Sequence, residues 1–237
     1  MEWLKMSLAK RTIASQLSLE LSKIPHRVLN LPSDSYLYQE GENADKIYFV
    51  TSGKIKLCKV TEDGRELTYR ICNAEQLLGE LTLFTEDCVY LLDAYVMSNS
   101  TVWEFKKSTL EEYFFLNTNL AYELTKAIGE NYKRTQLRYR DIISQGKRGA
   151  LIATLIRLAN SYGIKRPDGT LINFSLTNQE LGNFCGISRE STNKILRSLK
   201  EEGILNNVKS KIIIYDLEAL MNEIEFDKRH MNFYSIH

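Results

Sequence analysis

Arg189, Glu190, Asn193, Lys194 and Arg197 follow one another at spacings that place them on one face of an α-helix. Thr192, Ile195, Leu196 and Leu199 fall between them and leave the opposite face for a core. The polar set has the chemistry for base edges. A guanidinium can donate two parallel hydrogen bonds to O6 and N7 of guanine, a carboxylate can accept from a cytosine amine, and Lys194 or Arg197 can reach guanine or a phosphate. Each well-made pair supplies roughly 1–3 kcal/mol of discrimination. The bland alternative is a solvated face on an ordinary helical bundle.

Charge and local signals weigh against that alternative. The 237 residues include 31 Lys and Arg against 30 Asp and Glu, a balance that by itself says nothing about polyanions. Between Lys133 and Lys211, however, 15 basic residues stand with 6 acidic ones, and the rest of the chain has 16 and 24. A basic segment joined to an acidic one suits a polyanion-binding module attached to something else. Within it, Thr177-Asn-Gln-Glu180 reads as a capping box opening a short helix, Gly186-Ile187 as a tight turn, Ser188 as the cap of the next helix and Gly203 as its stop. Two short helices joined by a glycine turn make a helix-turn-helix. Ile204 and Leu205 begin a strand, Asn206–Ser210 turn it, and Lys211–Tyr215 return, which adds a wing.

Other chemistry is poorly supplied. Cys58, Cys72, Cys88 and Cys185 lie 14, 16 and 97 positions apart, a spacing without any zinc-type or C-x-x-C pair. They read as small buried hydrophobes, with a thiol switch in one domain as the alternative. No histidine lies between His26 and His230, so neither a histidine-carboxylate metal site nor a Ser-His-Asp or Cys-His constellation can be assembled from the interior of the chain. The expectation is a non-enzyme without metal or cofactor. With no apolar run of membrane-spanning length and no signal-peptide core near the start, a cytoplasmic location is expected.

The elements that hold these residues follow from a change of hydrophobic period. From about Ser35 to Phe105 short strands alternate with turns: Lys46–Gly53, Lys54–Val60, a hairpin at Asp63-Gly64, Glu66–Ile71, then Val89–Val96 and Thr101–Phe105. Ser108-Thr-Leu-Glu111 reads as a capping box where helices begin. The stretch Leu120–Ile143 reads as one long helix, with Ala121, Leu124, Ile128, Tyr132, Thr135, Tyr139 and Ile142 forming a heptad-like seam suited to dimerisation. The alternative is a long helix lying on its own β domain. Gly146 and Gly149 look like a hinge, followed by a helix to Tyr162 and a turn at Arg166–Gly169. The expected fold class is α+β, with a sensor-like domain over residues 1–116, a long helix over 117–145 and a winged helix-turn-helix domain over 146–237.

This order, with Gly41-Glu42, Gly79-Glu-Leu-Thr-Leu-Phe84 and Ser188-Arg-Glu190 at matching separations, resembles the CRP/FNR regulators from about Ser33 to Tyr215. Leu67–Cys72 and Gly149–Leu158 look closest to the FNR-like branch of Gram-positive bacteria. The resemblance implies an N-terminal antiparallel β-roll (a double-stranded β-helix), a homodimer built on the long helix, and a C-terminal winged helix-turn-helix reading palindromic double-stranded DNA. Arg189 and Glu190 match the family's base-reading pair, Lys194 replaces a second arginine and loses its bidentate fork, and Thr177, Ser188, Asn193 and Arg197 complete the expected interface. It further implies that Asn160–Gly169 and the hairpin tip Glu62–Glu66 face RNA polymerase.

The same resemblance bears on the signal. Cyclic-AMP binders hold the ribose with a Gly-Glu pair and the phosphate with an Arg-Ser pair. Gly79-Glu80 is kept here, but Tyr90 and Leu91 fall at the Arg-Ser positions and are expected either to partly fill the cavity or to make it suit an apolar or neutral ligand. Thr135 matches an adenine-contacting threonine, and Gln136 replaces its serine neighbour. Gly79, Glu80, Tyr90, Leu91, Thr135 and Gln136 therefore read as a vestigial pocket, unresponsive to cyclic AMP. The cysteine cluster of oxygen-sensing members is absent, since no cysteine precedes Cys58 or follows Cys185. A helix-turn-helix that docks protein, or a thiol-responsive regulator, remains the alternative.

Overall fold

A computed structural model describes residues 17–86, 89–208, 211–224, 226 and 228–236. It divides into two compact units, one running to Lys59 with Arg70–Gly129, the other comprising Val60–Tyr69 and the chain from Glu130 onward. Cys88 and His237 lie outside the described residues, as does the wing tip at 209–210.

An antiparallel roll, most of it in the first unit, is made of β1 (Arg27–Leu31), β2 (Ser35–Tyr38), β3 (Lys46–Val60), β4 (Glu66–Cys72), β5 (Gln76–Leu78) and β6 (Asp93–Lys106). Strand order is β1-β6-β3-β4, with β2 on β6 and β5 on β3. The two strands expected on either side of Gly53 are one continuous strand, and so is most of the stretch expected as Val89–Val96 and Thr101–Phe105. Gly53 is what permits this. The β3–β6 register shifts between Val50 and Ile55, Gly53 sits at φ 94°, and a Cβ there would lie 2.1 Å from Ser100 Oγ. A bulge bends the strand here without ending it.

Inside the roll, Tyr38, Tyr48, Val50, Ile55, Cys72, Leu78, Tyr90, Val96 and Val102 form one apolar cluster. A second cluster joins Leu17, Leu21 and Phe49 to Phe105, Leu110, Phe114, Leu120 and Leu124. The last two belong to α2 (Thr118–Ser144), which follows α1 (Lys107–Leu116). The capping box expected at Ser108 is not formed. Helix α1 starts at Lys107 with no side-chain cap, and the Glu111 carboxylate instead accepts from the Phe84 amide at 2.6 Å.

The expected seam is corrected at Leu124 alone. Leu124 is buried in the core of its own domain, and Ile128 packs against that core. Burying a leucine contributes about 1.5–3 kcal/mol, ample reason for the helix to lie here. Tyr132, Tyr139 and Ile142 are exposed, and so is Thr135. Ala121 is half-buried.

The second unit contains α3 (Gly146–Tyr162), buried without a break from Gly149 to Ala159. Around it lie β7 (Gly163–Arg166), β8 (Gly169–Ile172), α4 (Asn178–Asn183), α5 (Arg189–Glu201), β9 (Leu205–Val208), β10 (Lys211–Ile214) and α6 (Leu217–Glu223). Its sheet order is β7-β8-β10-β9. The turn expected at Arg166–Gly169 thus closes a hairpin. Downstream of α6 a short 3-10 helix, Lys228–Phe233, leads to Tyr234. Tyr234 is 1% exposed. Its hydroxyl donates to Asp141 Oδ1 of α2 at 3.1 Å, while Arg157 of α3 donates to Asp141 Oδ2 at 2.5 Å and stacks its guanidinium 4.3 Å from the Tyr234 ring.

Candidate nucleic-acid interface

Helices α4 and α5 are shaped by local hydrogen bonds. Thr177 Oγ1 accepts from the Glu180 amide at 3.1 Å, and the Thr177 amide donates back to Glu180 Oε2 at 2.7 Å. The capping box expected there is complete. Ser188 Oγ accepts from the Ser191 amide at 3.3 Å and opens α5. The helices approach closely at Gly182, where a Cβ would lie 2.6 Å from the Ile187 carbonyl and 2.7 Å from Thr192 Oγ1. Any larger residue would push α5 away from α4.

Thr192, Leu196 and Leu199 bury one face of α5, and Arg189, Glu190, Asn193, Lys194 and Arg197 are all exposed on the other. The Glu190 carboxyl is held below the usual range by its own backbone amide and by Ser188. It is therefore an ionised acceptor at neutral pH. Thr177 and Ser188 are also exposed, but their oxygens serve the helix starts. Beside this face runs a groove of about 400 Å³ lined by Asn178, Asn193, Leu196, Arg197, Lys200, Leu205 and Asn207. Sequence reasoning missed Asn178, Lys200 and Asn207. Lys200 follows Arg197 by one helical turn, a signal that was available, whereas Asn178 and Asn207 join the groove only through folding. Asn178 Nδ2 donates to Asn193 Oδ1, a bridge between the two helices.

Arg148, expected only as a neighbour of a hinge, braces the back of α5. It donates to Ser198 Oγ at 2.9 Å, to Glu202 Oε2 at 2.8 Å and to Glu223 Oε1 at 2.5 Å. Such charge-assisted bonds fix orientation as well as supplying energy.

Three of the residues expected in a vestigial pocket, Glu80, Tyr90 and Thr135, make contacts within the chain. Glu80 Oε1 accepts from Arg70 Nη2 at 2.6 Å, and Arg70 also donates to the Leu77 carbonyl at 3.1 Å. Tyr90 stacks on Tyr38 with ring centroids 3.7 Å apart and donates its hydroxyl to the Lys46 carbonyl at 2.8 Å. Burial pushes both phenols above their ordinary range, so neither offers charge. Gly79 precedes a single 3-10 turn, Glu80–Thr82. Leu91, at a bend just before β6, is 61% exposed and does not fill the interior, contrary to expectation. Thr135 and Gln136 are exposed on α2, with Thr135 Oγ1 donating back to the Asn131 carbonyl at 3.0 Å. Arg70 was missed in this role because its partner lies on another segment.

The described cysteines, Cys58, Cys72 and Cys185, are buried. Burial pushes the Cys72 and Cys185 thiols up to about 11. They are protonated at neutral pH and poor nucleophiles. Among the described residues no helix is long and apolar enough to cross a membrane.

Two family models match the chain: a cyclic nucleotide-binding domain over residues 28–117 and a Crp-like helix-turn-helix domain over residues 149–223. The anaerobic regulatory protein of Bacillus subtilis is 43% identical over 192 residues, covering 81% of each chain. The lactate racemization regulatory protein of Lactiplantibacillus plantarum is 27% identical, covering 80% of this chain and 87% of that one. Among solved structures, the c-di-GMP responsive regulator CLP of Xanthomonas campestris superposes with a TM-score of 0.76 at 19% identity, covering 85% of this chain and 99% of that one. CooA of Carboxydothermus hydrogenoformans does so at 0.73 and 18%, covering 83% and 87%.

Proposed function

Because the chain belongs to the CRP/FNR family of DNA-binding transcription regulators, we propose that it reads a palindromic operator as a homodimer, one recognition helix per half-site. The observation that carries this reading is the exposed face of α5. Arg189, Glu190, Asn193, Lys194 and Arg197 project from a helix whose start is capped, whose other face is buried, and whose back is braced by Arg148. Arg189 and Glu190 read base edges, Lys194 and Arg197 add guanine or phosphate contacts, and Thr177 and Ser188 set the helix starts against the backbone. Dimerisation falls to the exposed part of α2, through Tyr132, Thr135, Tyr139 and Ile142.

The protein acts on promoters in the cytoplasm through RNA polymerase, with the Glu62–Glu66 tip and the Asn160–Gly169 hairpin as contact surfaces, and without cyclic AMP as its signal. The test is binding of wild type and Arg189→Ala to a selected operator and to random duplex. The substitution is expected to cost about 1–3 kcal/mol per half-site on the operator and to relax the choice at one base pair. Equal losses on both duplexes would overturn direct readout by Arg189.

A further inference from the structure

The bridge between Asn178 and Asn193 uses one donor of one amide and the acceptor of the other. Asn178 stands at the first helical position of α4, behind the capped Thr177, and its Nδ2 donates to Asn193 Oδ1 on the exposed face of α5. The nitrogen of the Asn193 amide has no acceptor among the described residues. Both side chains line the groove that Arg197 and Lys200 also line. A free asparagine is two-sided: it can accept from N6 and donate to N7 of adenine at once. The bond takes one lone pair of Oδ1 and orients the amide plane, so that Oδ1 faces Asn178 and Nδ2 is turned away from it.

We propose that Asn178 is a positioning residue for base recognition, fixing the Asn193 amide donor-outward so that it selects a base edge rich in acceptors and rejects the cytosine amine. The inference rests on the reading of α5 as the recognition helix. Guanine offers O6 and N7 to such a donor and thymine offers O4, whereas cytosine presents N4–H₂ in the major groove and leaves two donors facing each other. Asn178 thus carries sequence information without touching DNA. A residue on the first helix sets what a residue on the second can read.

The test is selection of bound sites from a randomised duplex library with full-length wild type, Asn178→Ala and Asn178→Asp. Wild type is expected to disfavour cytosine about tenfold at one position of each half-site. In Asn178→Ala the freed Oδ1 lets Asn193 pair bidentately with adenine, so adenine rises at that position and the others keep their pattern. In Asn178→Asp the carboxylate accepts from Asn193 Nδ2 and turns Oδ1 outward, so cytosine and adenine replace guanine and thymine there, while overall affinity falls through added negative charge. A purely structural role would lower affinity without altering one base position. Identical base preferences in all three proteins would overturn the inference alone. A wild type that enriches no sequence would overturn the reading of α5 and the inference with it.

Discussion

Glu80 bears most directly on the proposal that cyclic AMP is not the signal. Its carboxylate is buried and paired with Arg70 at 2.6 Å, so a polar substrate group arriving there would have to displace an internal ion pair. Tyr90 closes the opposite side with a stacked ring and a hydroxyl already committed to the Lys46 carbonyl. A cyclic phosphate entering this interior would lose hydration worth roughly several kcal/mol with no free arginine fork to replace it. Calorimetry with cyclic AMP or cyclic GMP at about 1 mM is therefore expected to show no binding heat, that concentration corresponding to only about 4 kcal/mol of affinity. A micromolar isotherm would show that Arg70 or Tyr90 rearranges. The sequence makes the loss of the phosphate grip legible, because Tyr90 and Leu91 are chemically wrong for it. It does not make legible that Arg70 takes the carboxylate, a pairing between β4 and the turn after β5 that only the roll brings together.

The helices were legible where their signals were local and misleading where a distant partner competed. The box at Thr177–Glu180 forms as its spacing predicts, since every bond lies within three residues. The equally good pattern at Ser108–Glu111 fails because Glu111 is drawn to the Phe84 amide, 27 positions away in sequence. The long helix shows the same competition. Its heptad-like spacing continues through Leu124 and Ile128, but the roll's core buries Leu124 and partly covers Ile128, and the exposed seam residues are Tyr132 at 64%, Thr135, Tyr139 at 63% and Ile142. Placing Tyr139→Glu on both helices would set like charges together at the seam without disturbing the core. Sedimentation at micromolar concentration should then report a monomer with unchanged circular dichroism. A persistent dimer would move the interface off this face. The clasp of Tyr234 on Asp141 and Arg157 had no local signal at all, for its partners lie 93 and 77 positions upstream.

Across the whole chain, the order of roll, long helix and winged helix-turn-helix was readable because each regime has its own hydrophobic period and the basic residues gather in the last of them. Strand lengths were not, since Gly53 bends β3 where a strand break reads just as well. In the proposed assembly two copies present two α5 helices to one duplex. Hydroxyl-radical footprinting of a bound operator tests this most directly. Two protected patches related by two-fold symmetry are expected, their centres about one helical turn, 34–36 Å, apart on one face of the duplex, with both patches weakened together in Arg189→Ala. A single patch, or uniform protection indifferent to Arg189, would contradict it.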